Sequence, residues 1–145
     1  MESNKNNSIT ISLVFSGEDC DYFDFMTEVG IFPSKVKKTK DWPKEIIENE
    51  DLPKELRPRC EWVISADFTG ENNIEDPIKK FFKKIKGKET IIKSFSQKRK
   101  IDKSLIVVIN CNIMQLPEII LSQDIVRYLS DLEMEIGFDF YFYED

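Results

Sequence analysis

Hydrophobic and polar residues alternate in three segments of the chain, which is the period of a β-strand with one buried face. The three segments are SITISLVFS (8–16), EWVISADF (61–68) and EIGFDFYFYED (135–145). A fourth segment, SLIVVINC (104–111), is almost continuously apolar and predicts a central strand that is buried on both faces. In the last segment, the even-numbered residues from Ile136 to Phe142 are expected to point into the core.

Apolar residues at helical spacing lie between these strands. The four stripes are Tyr22, Phe25, Met26 and Val29; Ile78, Phe81, Phe82 and Ile85; Ile91, Ile92 and Phe95; and Ile125, Tyr128, Leu129 and Leu132. Asp76, which precedes a proline, and Ser122 are predicted N-caps. The segment 31–59 is rich in proline and charge, and it predicts a long irregular connection with a short strand near Val36.

Strands and helices therefore interleave, and most strands have one polar face. This pattern predicts an α+β fold: a two-layer sandwich with helices packed on one face of a mixed or mostly antiparallel sheet of four to six strands. We expect residues 1–7 to form a flexible polar N-terminus and residues 8–145 to form a single α+β domain. The other face of the sheet is expected to be open and to carry Thr10, Ser12, Ser65, Asp67, Asp139, Tyr141 and Tyr143.

Lysines are concentrated in one part of an otherwise acidic chain. The net charge is −6, yet residues 79–103 hold eleven basic and two acidic residues, which leaves ten basic and twenty-five acidic residues elsewhere. Burying the apolar stripe of IKKFFKKIKGK (78–88) stabilises by about 1.5–3 kcal/mol per side chain. Lysine repulsion costs only about 0.2–0.5 kcal/mol per pair. We therefore interpret the lysines as a solvated face; a nucleic-acid groove is the alternative, but nucleic acid is not the partner we expect.

Few kinds of catalytic chemistry are open to this chain. It has no histidine, which excludes Ser-His and Cys-His nucleophile systems. Cys20, Cys60 and Cys111 are widely spaced and predict neither a disulfide framework nor a zinc site, which favours a reducing, cytoplasmic location. The start MESNKNN has no signal-peptide pattern, and no apolar run could span a membrane, so we expect no membrane partner. We expect no cofactor and no metal.

The densest group of carboxylates lies at the predicted start of the first helix and comprises Glu18, Asp19, Asp21 and Asp24. Such a group can bind a cation or serve as an acid/base pair, so a small enzyme that depends on carboxylates and a divalent cation is an alternative function. The structural interpretation of this carboxylate group is that acidic side chains favour a helix N-terminus.

Several stretches together resemble one family. LVFSGEDCDYFDFMTEVGIFPSKVKKTKD (13–41) looks like that family's first strand, Ser-Gly helix start and lysine-bearing loop; EWVISADF looks like its Trp-led strand, and IILSQDIVRYLSDLEMEIGFDFYF (119–142) like its closing helix and strand. The pattern is that of the small bacterial family called domain of unknown function 4279. Where the family commonly shows Lys-Gly-Asp, this chain has Lys40-Asp41. The resemblance implies a compact α+β domain; by analogy, several such small families act as immunity proteins beside bacterial toxins.

The leading hypothesis is a non-enzymatic, cytoplasmic binding protein: an immunity protein that neutralises a cognate toxin domain by covering its active or substrate-binding surface. An acidic protein would be steered to a basic toxin, such as a nuclease. We predict the contact on one of two regions. The first is the cluster Glu18, Asp19, Asp21 and Asp24, and the second is the outer side of the last strand, with Asp139, Tyr141 and Tyr143.

Overall fold

A single five-stranded sheet organises the molecule. The computed structural model describes residues 7–18 and 22–144, apart from the side chain of Glu55. The strands are β1 (Ser8–Gly17), β2 (Lys35–Lys37), β3 (Cys60–Thr69), β4 (Asp102–Asn112) and β5 (Glu135–Tyr143). Their order across the sheet is β2-β3-β1-β4-β5. Strands β4 and β5 are parallel and the other neighbouring pairs are antiparallel, so the sheet is mixed, as predicted.

Helices cover one side of this sheet. They are α1 (Tyr22–Val29), α2 (Lys44–Ile47), α3 (Glu75–Phe82), α4 (Glu89–Arg99) and α5 (Gln123–Asp131). The apolar faces of α1, α3, α4 and α5 join one side of the strands in a single core. The α+β, two-layer prediction is confirmed.

Aromatic rings fix how α1 and α4 pack on the sheet. Phe15 of β1 stacks on Trp62 of β3, with ring centroids 5.4 Å apart and planes 7° apart. Phe25 of α1 packs 4.7 Å from Phe15, and its ring meets Phe95 of α4 edge-on at 5.5 Å. All four side chains are buried. The alternation of β1 and β3 and the stripes of both helices therefore converge on one cluster.

The helix starts follow the sequence pattern at one site and depart from it at another. The Ser122 hydroxyl accepts a hydrogen bond from the Ile125 N–H at the start of α5, as predicted. At α3, Asp76 is not the N-cap, because the helix already begins at Glu75. The Asn73 side chain accepts the bond from the Asp76 N–H, at 2.9 Å. The cap prediction at Asp76 is therefore wrong, because the helix begins before Asp76 and the side-chain bond to its first turn comes from Asn73.

The connection 31–59 contains more regular structure than its composition suggests. The predicted strand near Val36 is confirmed as β2. Trp42 fastens the following segment, because its indole N–H donates to the Arg59 carbonyl oxygen at 2.9 Å. The glycine-free Lys40-Asp41 step lies in a 3₁₀ turn, in which an Asp41 carboxylate oxygen accepts from the Lys38 N–H at 2.8 Å.

Two predictions about burial in the C-terminal half are wrong. Strand β4 is interior in the sheet, but Ile106 and Val108 on its outer side are only half-buried, because no second layer packs there in the described part of the chain. Phe140 and Phe142 of β5 do lie on the core side. They are nevertheless 41% and 49% exposed, because the helical layer does not cover them.

The chain is already structured just before β1. Asn7, which the sequence placed in the flexible start, is buried. Its side-chain oxygen accepts from the Tyr143 hydroxyl at 2.7 Å and from the Asn112 N–H at 3.3 Å. Its amide nitrogen donates to the Gln115 carbonyl oxygen. Asn7 is therefore held by the domain through its side chain, and residues 1–6 lie outside the described part.

Candidate partner-binding surfaces

The side of the sheet opposite the helices, which we call the outer face, is defined by the strand register. Residues that pair across neighbouring strands share a face, so the register yields rows that cross the sheet. One row runs Asp67, Thr10, Val108 and Asp139, from β3 to β5. The seven residues predicted to line this face alternate with core residues along their strands and do lie on it.

Two carboxylates stand at opposite ends of that row. Asp67 accepts a hydrogen bond from the Thr10 hydroxyl at 2.6 Å, and Asp139 is exposed. They are three strand spacings apart, which is about 14 Å at about 4.8 Å per spacing. That separation is too large for a shared metal ion or for two carboxyl groups that act on one bond. The arrangement instead presents two separated negative charges on one face of the sheet.

Apolar side chains also lie on the outer face. Val108 is in the same row as the two charges, Ile106 of β4 is in the next row, and Val63 of β3 and Val14 of β1 form a pair one row further on; all four are half-buried. The outer face therefore mixes apolar side chains with acidic and hydroxyl-bearing ones. Interfaces between proteins commonly combine apolar and polar groups in this way.

The two tyrosines predicted for partner binding differ in what they contact. Tyr141 is 59% exposed, so its ring is free for contact with another molecule. Tyr143 is half-buried, and its hydroxyl donates to the Asn7 side-chain oxygen at 2.7 Å. That bond ties the end of β5 to the residue before β1. Tyr141 and Asp139 thus remain candidates for contact, whereas Tyr143 has a structural bond.

The predicted acidic cluster is only partly described. Glu18 lies 3.8 Å from the Lys54 ammonium in an exposed pair, and Asp24 is exposed in the first turn of α1. Asp19 and Asp21 lie outside the described residues. Within residues 7–18 and 22–144, no group of three Asp, Glu, Cys or His side chains is placed to hold a metal ion.

A basic cleft that no sequence motif predicts lies at one end of the sheet. Its volume is about 690 Å³, and its described lining is Glu18, Lys54, Arg57, Pro58, Arg59, Arg99, Lys100 and Asp102. Arg59 bonds to Asp102 at 3.0 Å and to the Ser16 carbonyl oxygen at 3.1 Å, while its buried Nε–H has no hydrogen-bond partner among the described residues. The basic residues come from two segments far apart in sequence, so no local motif signals the cleft.

The lysine-rich segment divides into paired, exposed and buried residues. Lys79 pairs with Glu75 at 3.2 Å and Lys80 with Glu71 at 2.9 Å, both near the protein surface. Lys103, in contrast, is almost fully buried on the core side of β4. Burial lowers the pKa of its amino group. The segment is therefore not one continuous solvated face, and Lys103 is the residue that departs from that interpretation.

The cysteines also depart from expectation. Cys60, buried at the start of β3, is disulfide-bonded. The expectation that the cysteines form no disulfide is therefore wrong, because sequence spacing does not report how close two thiols come in the fold. Cys111 is a buried free thiol on the core side of β4, and burial raises its pKa.

Comparisons with known proteins place the chain in one family. A family model described as "Domain of unknown function (DUF4279)" matches residues 7–143, which is nearly the whole chain. No curated protein and no solved structure matches it. Within the described residues, no helix combines the length and the apolar composition that a membrane crossing requires.

Proposed function

Because the chain belongs to the DUF4279 family, whose function is unknown, its role has to be argued from its surfaces, and we propose that it is a non-enzymatic binding protein. The most specific form of this proposal is a bacterial immunity protein. It would neutralise a cognate toxin domain by covering the toxin's active or substrate-binding surface.

The outer face is the observation that carries the proposal. It is broad, has no helical layer over it in the described part of the chain, and combines half-buried valines with two exposed acidic side chains. Tyr141 adds an exposed aromatic ring where the outer face ends at β5. Tyrosines suit interfaces because the ring packs while the hydroxyl forms hydrogen bonds. A flat surface of this kind matches another protein better than a small molecule, which is usually held in a concave pocket.

Charge supports a basic partner. Outside residues 79–103 the chain has an excess of fifteen negative charges. Such an excess attracts a basic surface over a distance and raises the association rate. Toxins that cleave nucleic acids need basic substrate-binding surfaces, so an acidic protein can occupy that surface without any chemistry of its own.

A cytoplasmic location is a separate part of the proposal. It fits an immunity protein that protects its own cell, but a disulfide at Cys60 is more typical of an oxidising compartment. Lysing cells directly into denaturant that contains an alkylating reagent tests the location, because denaturation exposes the buried Cys60. A cytoplasmic location predicts that Cys60 is reduced in the cell and is alkylated; a denatured Cys60 that reacts only after a reductant is added contradicts this part.

The direct test is co-expression with the product of the adjacent toxin-like gene. We expect the two proteins to co-purify and the toxicity to be suppressed. Failure of both would overturn the proposal, whereas co-purification without suppression would overturn only the immunity role.

Matched charge reversals then locate the contact. We expect Asp67→Lys with Asp139→Lys to slow association at least tenfold at low salt, with a smaller effect at high salt. The control is Asp51→Lys with Asp131→Lys, which changes the net charge equally at two exposed positions outside the strands of the sheet. Equal slowing by both pairs would show that only net charge matters, and the outer face would then be the wrong site.

A further inference from the structure

The two edges of the sheet are protected very differently. Edge strand β2 has three residues, Lys35–Lys37, two of which are lysines. Short length and lysine are both common means of preventing edge strands from pairing with other chains. Edge strand β5 spans nine residues, EIGFDFYFY, without a lysine or a proline. Among the described residues, no further strand pairs with its free side.

Aromatic side chains are exposed on both sides of β5. On the core side, the rings of Phe138, Phe140 and Phe142 form a stacked ladder with centroids 6.4 and 6.0 Å apart. On the outer side, Tyr141 is more exposed than either Phe140 or Phe142. Exposed aromatic side chains on the edge strand of a sheet indicate an interaction site.

We propose that the occupant of this edge is a second copy of the chain, paired antiparallel through β5 about a two-fold axis at Tyr141. The two sheets would then join into one ten-stranded sheet with all helices on the same side. In this arrangement Phe140 of each copy lies opposite Phe142 of the other. Pairs of aromatic residues across neighbouring strands stabilise a sheet.

The charges of the strand agree with this register. Asp139 lies opposite Tyr143 of the other copy, so a carboxylate faces a phenol ring. Glu144 lies opposite Phe138, and Glu135 extends beyond the paired segment. No carboxylate of the described residues faces another carboxylate, which is the arrangement that would destabilise the pair. The strand is therefore complementary to itself, which is the requirement for a two-fold interface.

This proposal does not rest on the function proposed above, because it is argued from the free edge of β5 and from Phe140 and Phe142, which lie on the side opposite the outer face. The paired strand also contains Asp139 and Tyr141, whose side chains would stay on the outer face of the joined sheet. The test is sedimentation equilibrium of the purified full chain over a wide concentration range. We expect a dimer that dissociates on dilution. Phe140→Lys is expected to raise the dimer dissociation constant at least tenfold, since the two-fold axis places the change in the interface twice.

Phe32→Lys is the matched control, because Phe32 is an exposed phenylalanine in the connection that leads to β2, at the other edge. It should leave the dissociation constant unchanged. A circular dichroism spectrum and melting temperature verify that Phe140→Lys still folds.

Cysteine cross-linking tests the register independently of stability. The Tyr141→Cys chain is expected to form a disulfide-linked dimer under mild oxidation, because the two copies of this residue face each other at the axis. Asp139→Cys is expected to cross-link far less. A chain that stays monomeric at about millimolar concentration overturns the proposal, even if its β5 edge binds an extended segment of a different protein. A dimer that Phe140→Lys does not weaken, or that cross-links equally through both cysteines, also overturns it.

Discussion

Replacing Lys103 with methionine should stabilise the protein, although the change removes a charged residue from an apparently solvated lysine segment. Lys103 is 4% exposed, and it lies in register with Phe15 on the core side of the sheet. Burial is the main cause of its lowered pKa, and the charges of Glu133 and Asp102 act in the opposite direction. Because both carboxylates are in exposed residues, water screens their attraction.

The magnitude follows from the cost of burying a charge. Replacing buried charged groups with apolar residues of similar volume is neutral or stabilising by about 1–4 kcal/mol. We take the low end, about 1 kcal/mol, because the two carboxylates recover part of the cost. For a chain of this length, that corresponds to a rise in melting temperature of about 3 °C.

The stabilisation by Lys103→Met should also depend on pH, and the lowered pKa of Lys103 determines the direction. The folded state lowers the pKa of Lys103, so the unfolded chain holds this proton more firmly than the folded one. The penalty is fully present below the folded-state pKa, and it fades as the pH rises towards the ordinary lysine pKa. The advantage of Lys103→Met should therefore be largest near neutral pH and smaller at about pH 10.

Urea unfolding, followed by tryptophan fluorescence at both pH values, measures the effect. The control is Lys98→Met, an exposed lysine of the same segment, which should change the unfolding free energy by less than about 0.5 kcal/mol. Destabilisation by Lys103→Met, or an advantage that grows with pH, would refute the reasoning. Either result would mean that the ammonium has ion-pair partners that outweigh its desolvation.

Four further substitutions probe contacts elsewhere, each measured by urea unfolding. Tyr143→Phe removes the bond to Asn7 and should cost about 1 kcal/mol; no loss would mean that the bond is not formed in solution. Ser122→Ala should cost about 1 kcal/mol, because the N-cap bond of α5 is lost; a neutral result would contradict the cap. Trp62→Ala should cost about 3–5 kcal/mol, because it empties the centre of the aromatic cluster, whereas Trp42→Ala, at a half-buried site, should cost less. A larger loss for Trp42→Ala than for Trp62→Ala would contradict the position of Trp62 at the centre of the core.

Side-chain periodicity was sufficient to predict most of the fold. The alternation of β1 and β3 determines which residues face the helices, because a shift of one residue would turn every apolar side chain to water. Helical spacing alone predicts that Phe25 and Phe95 belong to the core, and both are buried against Trp62. The start of α5 is also predictable from the sequence, because the N-cap bond depends on one side chain, that of Ser122.

The exposed end of β5 was not predictable in the same way. Phe140 and Phe142 continue the alternation that begins at Ile136, so the period is the same along the covered and uncovered parts of the strand. Coverage depends on how far α5 reaches across the sheet, which is a property of the tertiary structure. Lys103 departs from the prediction for a related reason, since nearby lysines in the sequence such as Lys98 and Lys100 are exposed, whereas Lys103 pairs with the buried Phe15 on the core side.

The candidate surfaces were predicted only in part. The outer face follows from the polar positions of the strands, so Asp67, Asp139 and Tyr141 could be assigned to it before the register was known. The bond between Tyr143 and Asn7 joins the two ends of the described chain, and no local pattern indicates such a contact. The basic cleft was missed for the same reason.

The position of β1 at the centre of the sheet has a consequence for how the chain folds. Its two neighbours are distant in sequence: Gly17 pairs with Cys60, while Ser8 pairs with Asn110. Neither ladder can form before a long loop closes, and folding rates fall as the sequence separation of contacting residues grows. Refolding should therefore be slow for a chain of this size, with local helix formation preceding assembly of the sheet.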